Sequence, residues 1–321
     1  MMKKTLFLLC AIGLVLPGAT AALAQASAPA PMGPPKVLQI IREEVKVGKG
    51  PAHETNEAGY PRAFKKANWP TTFLAMTSIT GPSEAWFLIR YDSFEAWEKD
   101  RQATEKNAAF IAELNRLDEK DAEFVSGTRS LIAVYREDLS YRPGVNIAQM
   151  RYLRILTFRV RPGHEADFAE AVKIVRAGYE KAGVEIHWAV FQISSGMPGP
   201  TFLVFAPTKS LKEVDVLLAQ APKVQEAEGE DGVKKLQKLG ADGYLTIESN
   251  IYAFSPKMSY VSKEIAAGDP DFWTPKPKAP AKPAEGASAE KKDTKKPTAP
   301  PKKDAARRPP GSKDLAMNLN P

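Results

Sequence analysis

The sequence is poor in the residue types that form disulfides and bind transition metals. Its 321 residues include one cysteine and three histidines. The cysteine, Cys10, lies in an apolar stretch near the N-terminus, so the rest of the chain cannot form a disulfide within itself and must be stabilised by its hydrophobic core. No histidine has a second His or Cys at the i, i+4 spacing of a helical zinc site, and the sequence therefore predicts no metal site.

Motifs that would name a reaction are also missing. The chain has no GxSxG nucleophile elbow, no Walker-type phosphate loop and no GxGxxG dinucleotide fingerprint. The stretch from Gly196 to Pro200 is rich in glycine, but its prolines lack the amide donors that a phosphate cradle needs. This stretch is typical of a turn, and the motifs assign no catalytic chemistry.

The first 24 residues have the layout of a secretory signal peptide. Lys3 and Lys4 precede an apolar run from Leu6 to Leu16, and a small-x-small cleavage site follows at Ala22 to Ala24. The run is shorter than the ~20 residues that span a bilayer, which argues against a membrane anchor. The sequence predicts a signal peptide over 1–24, a linker over 25–35 and a periplasmic or secreted protein.

The C-terminal segment, residues 274–321, has a composition typical of disorder. It contains ten prolines, twelve Lys or Arg and five acidic residues, so its net charge of +7 equals that of the whole chain. The basic charge therefore belongs to the tail and not to the folded region, and no nucleic-acid binding is predicted. Two alternatives stay open for the tail: a solvated spacer, or a segment that contacts an anionic surface of the cell envelope.

An internal repeat organises the region between the two ends. Each half, 36–142 and 150–262, opens with a strand and continues with a helix, two strands joined by a Gly/Pro turn, a second helix and a closing strand. The opening strands are predicted at Val37–Val45 and Tyr152–Val160. The order βαββαβ is the ferredoxin-like unit, a four-stranded antiparallel sheet with both helices on one face. The sequence thus predicts an α+β fold in which the bare faces of two sheets pack together.

The first helix of each half begins at a His-Glu pair, His53-Glu54 and His164-Glu165. A carboxylate in a first helical turn is stabilised by the helix dipole, which explains these glutamates without a function. In the second half the apolar face of this helix stops at Gly183. In the first half Pro61 interrupts the pattern, which predicts a shorter or kinked helix.

Three segments carry a family resemblance: the opening strand with Gly50-Pro51, the segment Arg159–Gly163 with the helix from His164, and the strand from Trp86 that runs into a capped helix. On these segments residues 35–260 resemble the dimeric α/β-barrel superfamily, in a tandem-fused form. Its members include NIPSNAP-like proteins, antibiotic-biosynthesis-monooxygenase-like domains and muconolactone-isomerase-like enzymes. The resemblance implies an intramolecular dimeric α/β barrel, and hence a monomer with pseudo-twofold symmetry.

The same resemblance covers several chemistries: cofactor-free oxygenation, haem binding and degradation, isomerisation and simple ligand binding. The haem-binding branches use a histidine ligand. None of the three histidines here lies in a motif that matches such a branch. No cofactor is therefore predicted, and haem stays as the alternative.

A polar set on the last strand of the second half suggests a site. Glu248, Asn250 and Tyr252 alternate with apolar residues and face away from the predicted helices. If the strand that follows Val184 lies beside it, His187 joins the same surface. His187 is then the candidate catalytic base, with tyrosine or asparagine stabilising developing charge. The alternative is a set of half-exposed strand residues, or a satisfied polar pair in the barrel interface.

The two halves differ at these positions. Tyr135 is the first-half counterpart of Tyr252, but Ala133 and Leu131 stand where the second half has its amide and carboxylate. This asymmetry favours a single pocket around the second half. Trp86 could stack on an aromatic ligand, although core packing is the alternative. The candidate ligand-binding residues are Glu185, Glu248, Asn250, Tyr252, Tyr135 and Trp86.

Three functions compete on this sequence. The first is an exported small-molecule-binding protein of the cell envelope, whose ligand is a small apolar or aromatic molecule. The second is a cofactor-independent monooxygenase or isomerase-like enzyme with His187 as base. The third is a structural or adaptor protein that acts through its basic tail.

Overall fold

The computed structural model of the protein describes residues 33–274. The predicted signal peptide, the first part of the predicted linker and the tail from residue 275 onward lie outside the described residues. Among the helices of residues 33–274, none has both the length and the apolar character needed to cross a membrane.

The first half follows the predicted order, with each of its two helices broken into a pair. Its elements are β1 (Val37–Val45), α1 (Gly50–Glu57), α2 (Gly59–Lys66), β2 (Phe73–Ser78), β3 (Glu84–Tyr91), α3 (Phe94–Glu105), α4 (Ala108–Asp121) and β4 (Val125–Tyr141). The break between α1 and α2 lies at Ala58. Pro61 stands in the first turn of α2, where its missing N–H would have no intrahelical acceptor in any case. The shortened helix expected at Pro61 is confirmed.

The second half keeps its first helix unbroken. Its elements are β5 (Tyr152–Val160), α5 (Glu165–Ala182), β6 (Trp188–Ser195), β7 (Thr201–Thr208), α6 (Lys212–Gly243) and β8 (Tyr244–Phe254), followed by two short helices, α7 (Lys263–Gly268) and α8 (Pro270–Trp273). Helix α6 is kinked at Gly229, whose φ of 75° is not helical. Helix α5 ends at Gly183, whose φ of 64° is left-handed, as the sequence predicts.

All eight strands close into one antiparallel barrel in the order β1-β3-β2-β8-β5-β7-β6-β4. Within each half the order is that of the ferredoxin-like unit, with the first and third strands in the middle. Hydrogen-bonded seams join the halves: β2 pairs with β8, and β4 pairs with β6. The α+β fold and the tandem ferredoxin-like barrel predicted from the sequence are therefore confirmed.

A glycine permits the close approach at the second seam. Gly196 follows β6 directly and has a φ of 93°. A Cβ atom there would lie 2.3 Å from the backbone oxygen of Ser130, on β4. No other residue type fits both the left-handed backbone and that contact.

The core has two layers. Alternate strand residues fill the barrel interior with large apolar side chains, among them Ile40, Met76, Leu131, Ile155, Leu203 and Phe205. The residues between them face outward and pack under the helices, mostly those of their own half, although Leu139 and Tyr141 of β4 pack with α5 of the second half. The fold therefore offers space for a site inside the barrel and between each sheet and its helices.

Candidate functional site

His187, the predicted base, lies just before β6. Its Nδ1 is 2.7 Å from the backbone oxygen of Arg142. A carbonyl oxygen only accepts, so Nδ1 carries the hydrogen and Nε2 of the neutral ring is a free acceptor. The ring lines a chamber of about 100 Å³ at one end of the barrel interior. This chamber is otherwise mostly apolar, and Phe191 and Phe205 form part of its wall.

The structure does not bring His187 together with the polar residues of β8. The adjacency expected between β6 and β8 is wrong, because these strands are the two edges of the second-half sheet, with β7 and β5 between them. Ferredoxin-like topology puts the second and fourth strands at opposite edges and pairs the second with the third. Glu248 is exposed, and Asn250 is half-buried beside the turn at Gly81.

The other predicted ligand-binding residues have structural partners. Tyr252 and Trp86 are buried inside the barrel, 5.1 Å apart between ring centroids. Both donate a hydrogen bond to Glu84, the tyrosine from its hydroxyl and the tryptophan from its indole nitrogen. Glu185 is exposed and pairs with Arg142 at 2.9 Å, and the Tyr135 ring packs on Phe191. The alternative interpretation of Trp86, core packing, fits its surroundings.

The strongest polar cluster lies elsewhere, between the first-half sheet and its helices. We name it the acidic cluster: Glu43 on β1, His53 and Glu57 on α1, and Asp121 at the end of α4. His53 and Glu57 are four residues apart and therefore share one face of α1. One potential ligand atom from each of the four residues lies within 4.8 Å of the others.

Two contacts hold α1 and α2 close enough to α4 to form the cluster. Asn56 donates a side-chain hydrogen bond to the backbone oxygen of Leu117, at 3.1 Å. Gly59 lies against the same leucine, where a Cβ atom would come within 2.4 Å of its side chain. Because the side chain of Gly59 is only a hydrogen atom, α2 can approach α4 closely at this point.

Inside the cluster His53 has two acidic neighbours. Its Nε2 is 2.9 Å from Glu43 Oε2 and 3.6 Å from Asp121 Oδ1. His53 is 1% exposed and Glu57 is 2% exposed. Oxygen Oε1 of Glu57 is buried and has no hydrogen-bond partner among residues 33–274. A buried carboxyl oxygen without a donor is unfavourable in general, and it marks a place where a hydrogen-bond donor or a cation is missing. The same carboxyl group hydrogen-bonds the Asp121 side chain.

The charges of the cluster are poorly balanced. Burial, followed by the charges of Glu43 and Asp121, raises the pKa of Glu57 to about 10. Burial also raises the pKa of Glu43 and that of Asp121, although His53 opposes both shifts. Among the described residues no lysine or arginine forms an ion pair with any of the three acids. Within residues 33–274, His53 is the only basic side chain within 4 Å of these carboxylates.

A cavity of about 410 Å³ opens beside the cluster. Its lining includes the acidic residues Glu43, Glu57, Asp118 and Asp121, and Tyr60. The apolar part of its lining, which we name the aromatic wall, includes Ile41, Phe64, Phe73, Phe87 and Ile89. We name this space the acidic cavity. Its volume falls in the range of ~300–1,000 Å³ that is usual for small-molecule sites.

The equivalent space in the second half is much smaller, about 60 Å³, although this half repeats the same elements. When the ends of β1 and β5 are aligned at Val45 and Val160, Phe158 takes the place of Glu43. When the two histidines at the start of the first helix are aligned, Phe168 takes the place of Glu57. Both phenylalanines belong to the packed second-half core, and Phe168 stacks on Phe202 at 4.2 Å. This asymmetry differs from the one expected from the sequence, which lay in Glu248 and Asn250 of β8. The second half has a cavity of its own, about 500 Å³ in volume, whose lining includes Glu185 and His187.

Sequence reasoning missed this site for a physical reason. Its carboxylates come from β1, α1 and α4, and only the fold brings them together. One signal was present: a glutamate four residues after His53 at a position where the second repeat has phenylalanine.

Haem does not fit either space between a sheet and its helices. In the first half, the acidic cavity would place haem propionates against carboxylates, and no lysine or arginine lines it. In the second half the space measures only about 60 Å³, and its lining residues include no histidine. The third histidine, His164, is half-exposed and bonds Asp167 at 2.6 Å. We therefore derive no haem chemistry.

Comparisons with known proteins give only distant similarities. No family model matches the chain, and no curated protein matches it. Among solved structures, a monooxygenase candidate from Fusobacterium nucleatum has a TM-score of 0.44 at 13% identity, over 70% of this chain and 94% of its own. An anthrone oxidase-like protein has a TM-score of 0.46 at 15% identity, over 71% and 95%. Chlorite dismutase from Candidatus Nitrospira defluvii has a TM-score of 0.40 at 8% identity, over 73% and 95%. At these scores the similarities carry no information on ligand or activity.

The raised pKa of Glu57 predicts how stability depends on pH. The folded protein keeps the Glu57 proton up to a pH of about 10, whereas the unfolded chain releases it near 4.5. The folded state therefore binds more protons between these values, and this group makes stability fall as pH rises. In chelator-treated protein, Glu57→Gln should change the free energy of unfolding little at pH 5 and raise it by roughly 1–3 kcal/mol at pH 9.

Urea unfolding of both proteins at the two pH values measures this effect. Glu43, His53, Asp118 and Asp121 face Glu57 and are the same in both proteins, so the difference reports the loss of the Glu57 carboxyl group together with its effect on the neighbouring carboxyl groups. A variant that is less stable than wild type at pH 9 would contradict the prediction.

Proposed function

We propose that this protein binds a small aromatic or apolar molecule, uncharged or cationic, in the acidic cavity. The observation that carries the proposal is the buried Glu57 oxygen without a partner, at the wall of a cavity of about 410 Å³. A ligand that donates a hydrogen bond or brings a positive charge would satisfy this oxygen. The aromatic wall offers contact for an apolar body.

The charge of the cavity sets the class of ligand. Four carboxyl groups line it, Glu43, Glu57, Asp118 and Asp121, and no lysine or arginine does. A carboxylate or phosphate ligand without a counter-ion would meet like charge in a partly desolvated space. Simple anions are therefore excluded from the proposed ligands.

Three indoles that differ only in their polar head test this preference. Tryptamine is cationic, indole is neutral and indole-3-acetate is anionic, while all three place the same ring on the aromatic wall. In chelator-treated protein at pH 7 we expect tryptamine to stabilise most, indole less and indole-3-acetate least. Thermal unfolding should shift upward by about 3 °C or more when tryptamine is tenfold above its Kd.

A pair of tryptophan variants locates the binding. Thr128 is exposed at the rim of the cavity, so Thr128→Trp should obstruct the cavity and remove the shift. Ser130 is exposed two residues further along β4 and does not line the cavity, so Ser130→Trp should leave the shift unchanged. The proposal is wrong if no indole shifts the unfolding temperature at millimolar concentration, or if Thr128→Trp and Ser130→Trp behave alike.

Export is part of the same proposal and is supported by the N-terminal sequence alone. Cleavage after Ala24 would release a binding protein into the periplasm or the medium. N-terminal sequencing of the protein from its native host should start at Gln25. A chain that keeps its first residues in the cytoplasm would refute export without affecting the ligand site.

A second candidate function is proton abstraction by His187 without a cofactor, as in an isomerase or oxygenase. The hydrogen bond to the Arg142 oxygen favours it, because the bond leaves Nε2 as an acceptor on a residue that lines the barrel-end chamber. Nitrogen-15 NMR at pH 8 should show the Nδ1–H tautomer for a ring whose signals vanish in His187→Gln. An Nε2–H tautomer would exclude this base, since its lone pair would then face the carbonyl oxygen.

A further inference from the structure

The acidic cluster has the composition of a divalent-metal site. It offers one imidazole nitrogen and three carboxylate oxygens, each from a different side chain, within 4.8 Å of one another. Transition-metal ions such as Zn²⁺ bind histidine nitrogen and carboxylate oxygen at ~2.0–2.2 Å, and two ligands on opposite sides of such an ion lie ~4 Å apart. The four atoms therefore need only small side-chain movements to reach one central ion.

An independent observation points to a ligand at this place. A cluster of acids alone could be a solvated surface, but Glu57 is 2% exposed and its Oε1 has no hydrogen-bond partner in the described part of the chain. This residue also lines the acidic cavity, so its carboxyl group is next to open space. A cation there would satisfy the oxygen and balance charges that no lysine or arginine balances.

The second repeat shows that the fold does not require the cluster. The same two positions, on the first strand and on the first helix, hold Phe158 and Phe168, which pack in the second-half core. An apolar solution is therefore compatible with this architecture within one chain. Histidine at the start of the first helix is common to both halves, so the carboxylates distinguish the first half.

The rigid placement of the donors also fits an ion. Asn56 and Gly59 fix α1 and α2 against α4, which sets the distance between the helix donors and Asp121. Glu43 sits on β1, in the middle of the first-half sheet. Donors on ordered elements are held with less loss of freedom on binding than donors on loops.

We propose that Glu43, His53, Glu57 and Asp121 bind one divalent transition-metal ion, with Zn²⁺ as the reference ion. The ion would occupy the wall of the acidic cavity, so any coordination position not taken by the protein faces a space that water or an organic ligand can enter. The metal needs no organic ligand in order to bind. Its binding and that of the indoles can therefore succeed or fail separately.

Calorimetric titration of the chelator-stripped full-length chain with Zn²⁺ at pH 7 tests the site. We expect one ion per chain with a Kd in the micromolar range or tighter. Glu57→Gln should weaken Zn²⁺ binding at least tenfold, because it replaces a charged carboxylate ligand with a neutral amide. His53→Gln should weaken binding more than Glu57→Gln does, because it removes the nitrogen ligand. Titration with Co²⁺ should give visible absorption bands from a site that contains nitrogen and oxygen donors, and these bands should be lost in His53→Gln.

His164→Gln is the matched control. His164 also contacts a carboxylate, Asp167 at 2.6 Å, but it is half-exposed and belongs to no cluster of three or more ligand groups in residues 33–274. Its replacement should leave both the stoichiometry and the Kd unchanged. The inference is overturned if wild-type protein takes up no Zn²⁺, or if Glu57→Gln binds as tightly as wild type. Since Glu57→Gln removes an unfavourable buried group, it remains interpretable even where His53→Gln fails to fold.

Discussion

The structure depends on the closure of its sheet by two hydrogen-bonded seams. A four-stranded ferredoxin-like sheet has two open edges and one bare face. Pairing β2 with β8 and β4 with β6 removes all four edges and encloses the bare faces in one apolar interior. Because this interior holds the two halves together, the space between each sheet and its own helices is free to differ. In the first half this space contains the acidic cavity, whereas in the second half apolar side chains fill most of it.

Much of the fold could be predicted because it follows from patterns within short segments of the sequence. The β-branched and aromatic residues of Val37–Val45 and Tyr152–Val160, and the helical face that stops at Gly183, identify the repeated unit directly. The order of strands within a sheet is less local. Treating the strands around His187 and Tyr252 as neighbours was wrong because chain order and spatial order differ in this topology. The candidate site was the hardest part to predict, since most of the first half separates Glu43 from Asp121 in sequence. The fold brings both residues next to His53 and Glu57 of α1.

Comparison of the two halves distinguishes residues that serve packing from residues of the candidate site, because both halves have the same fold. Phe158 and Phe168 show what these positions become when only packing matters: aromatic rings 5.2 Å apart in a closed core. Glu43 and Glu57 stand at the same positions beside an open cavity. By the same comparison His53 and His164 differ only in surroundings, one buried among acids and the other half-exposed beside a single aspartate. The difference between the halves therefore lies in carboxylates and open volume together.

Energetics explain why that combination points to a ligand. Desolvating a carboxyl group is unfavourable, and its pKa rises until a proton, a cation or a hydrogen-bond donor offsets the loss. His53 contacts Glu43 and Asp121, and burial raises the pKa of Glu57, so this carboxyl group keeps its proton at neutral pH because residues 33–274 supply no counter-ion for it. Filling the space with apolar side chains would relieve the strain, as the second half demonstrates. The acidic cluster is a less stable arrangement than the apolar packing of the second half. Its presence in the first half is explained if a cation or a cationic ligand, absent from the free protein, binds to it and stabilises it.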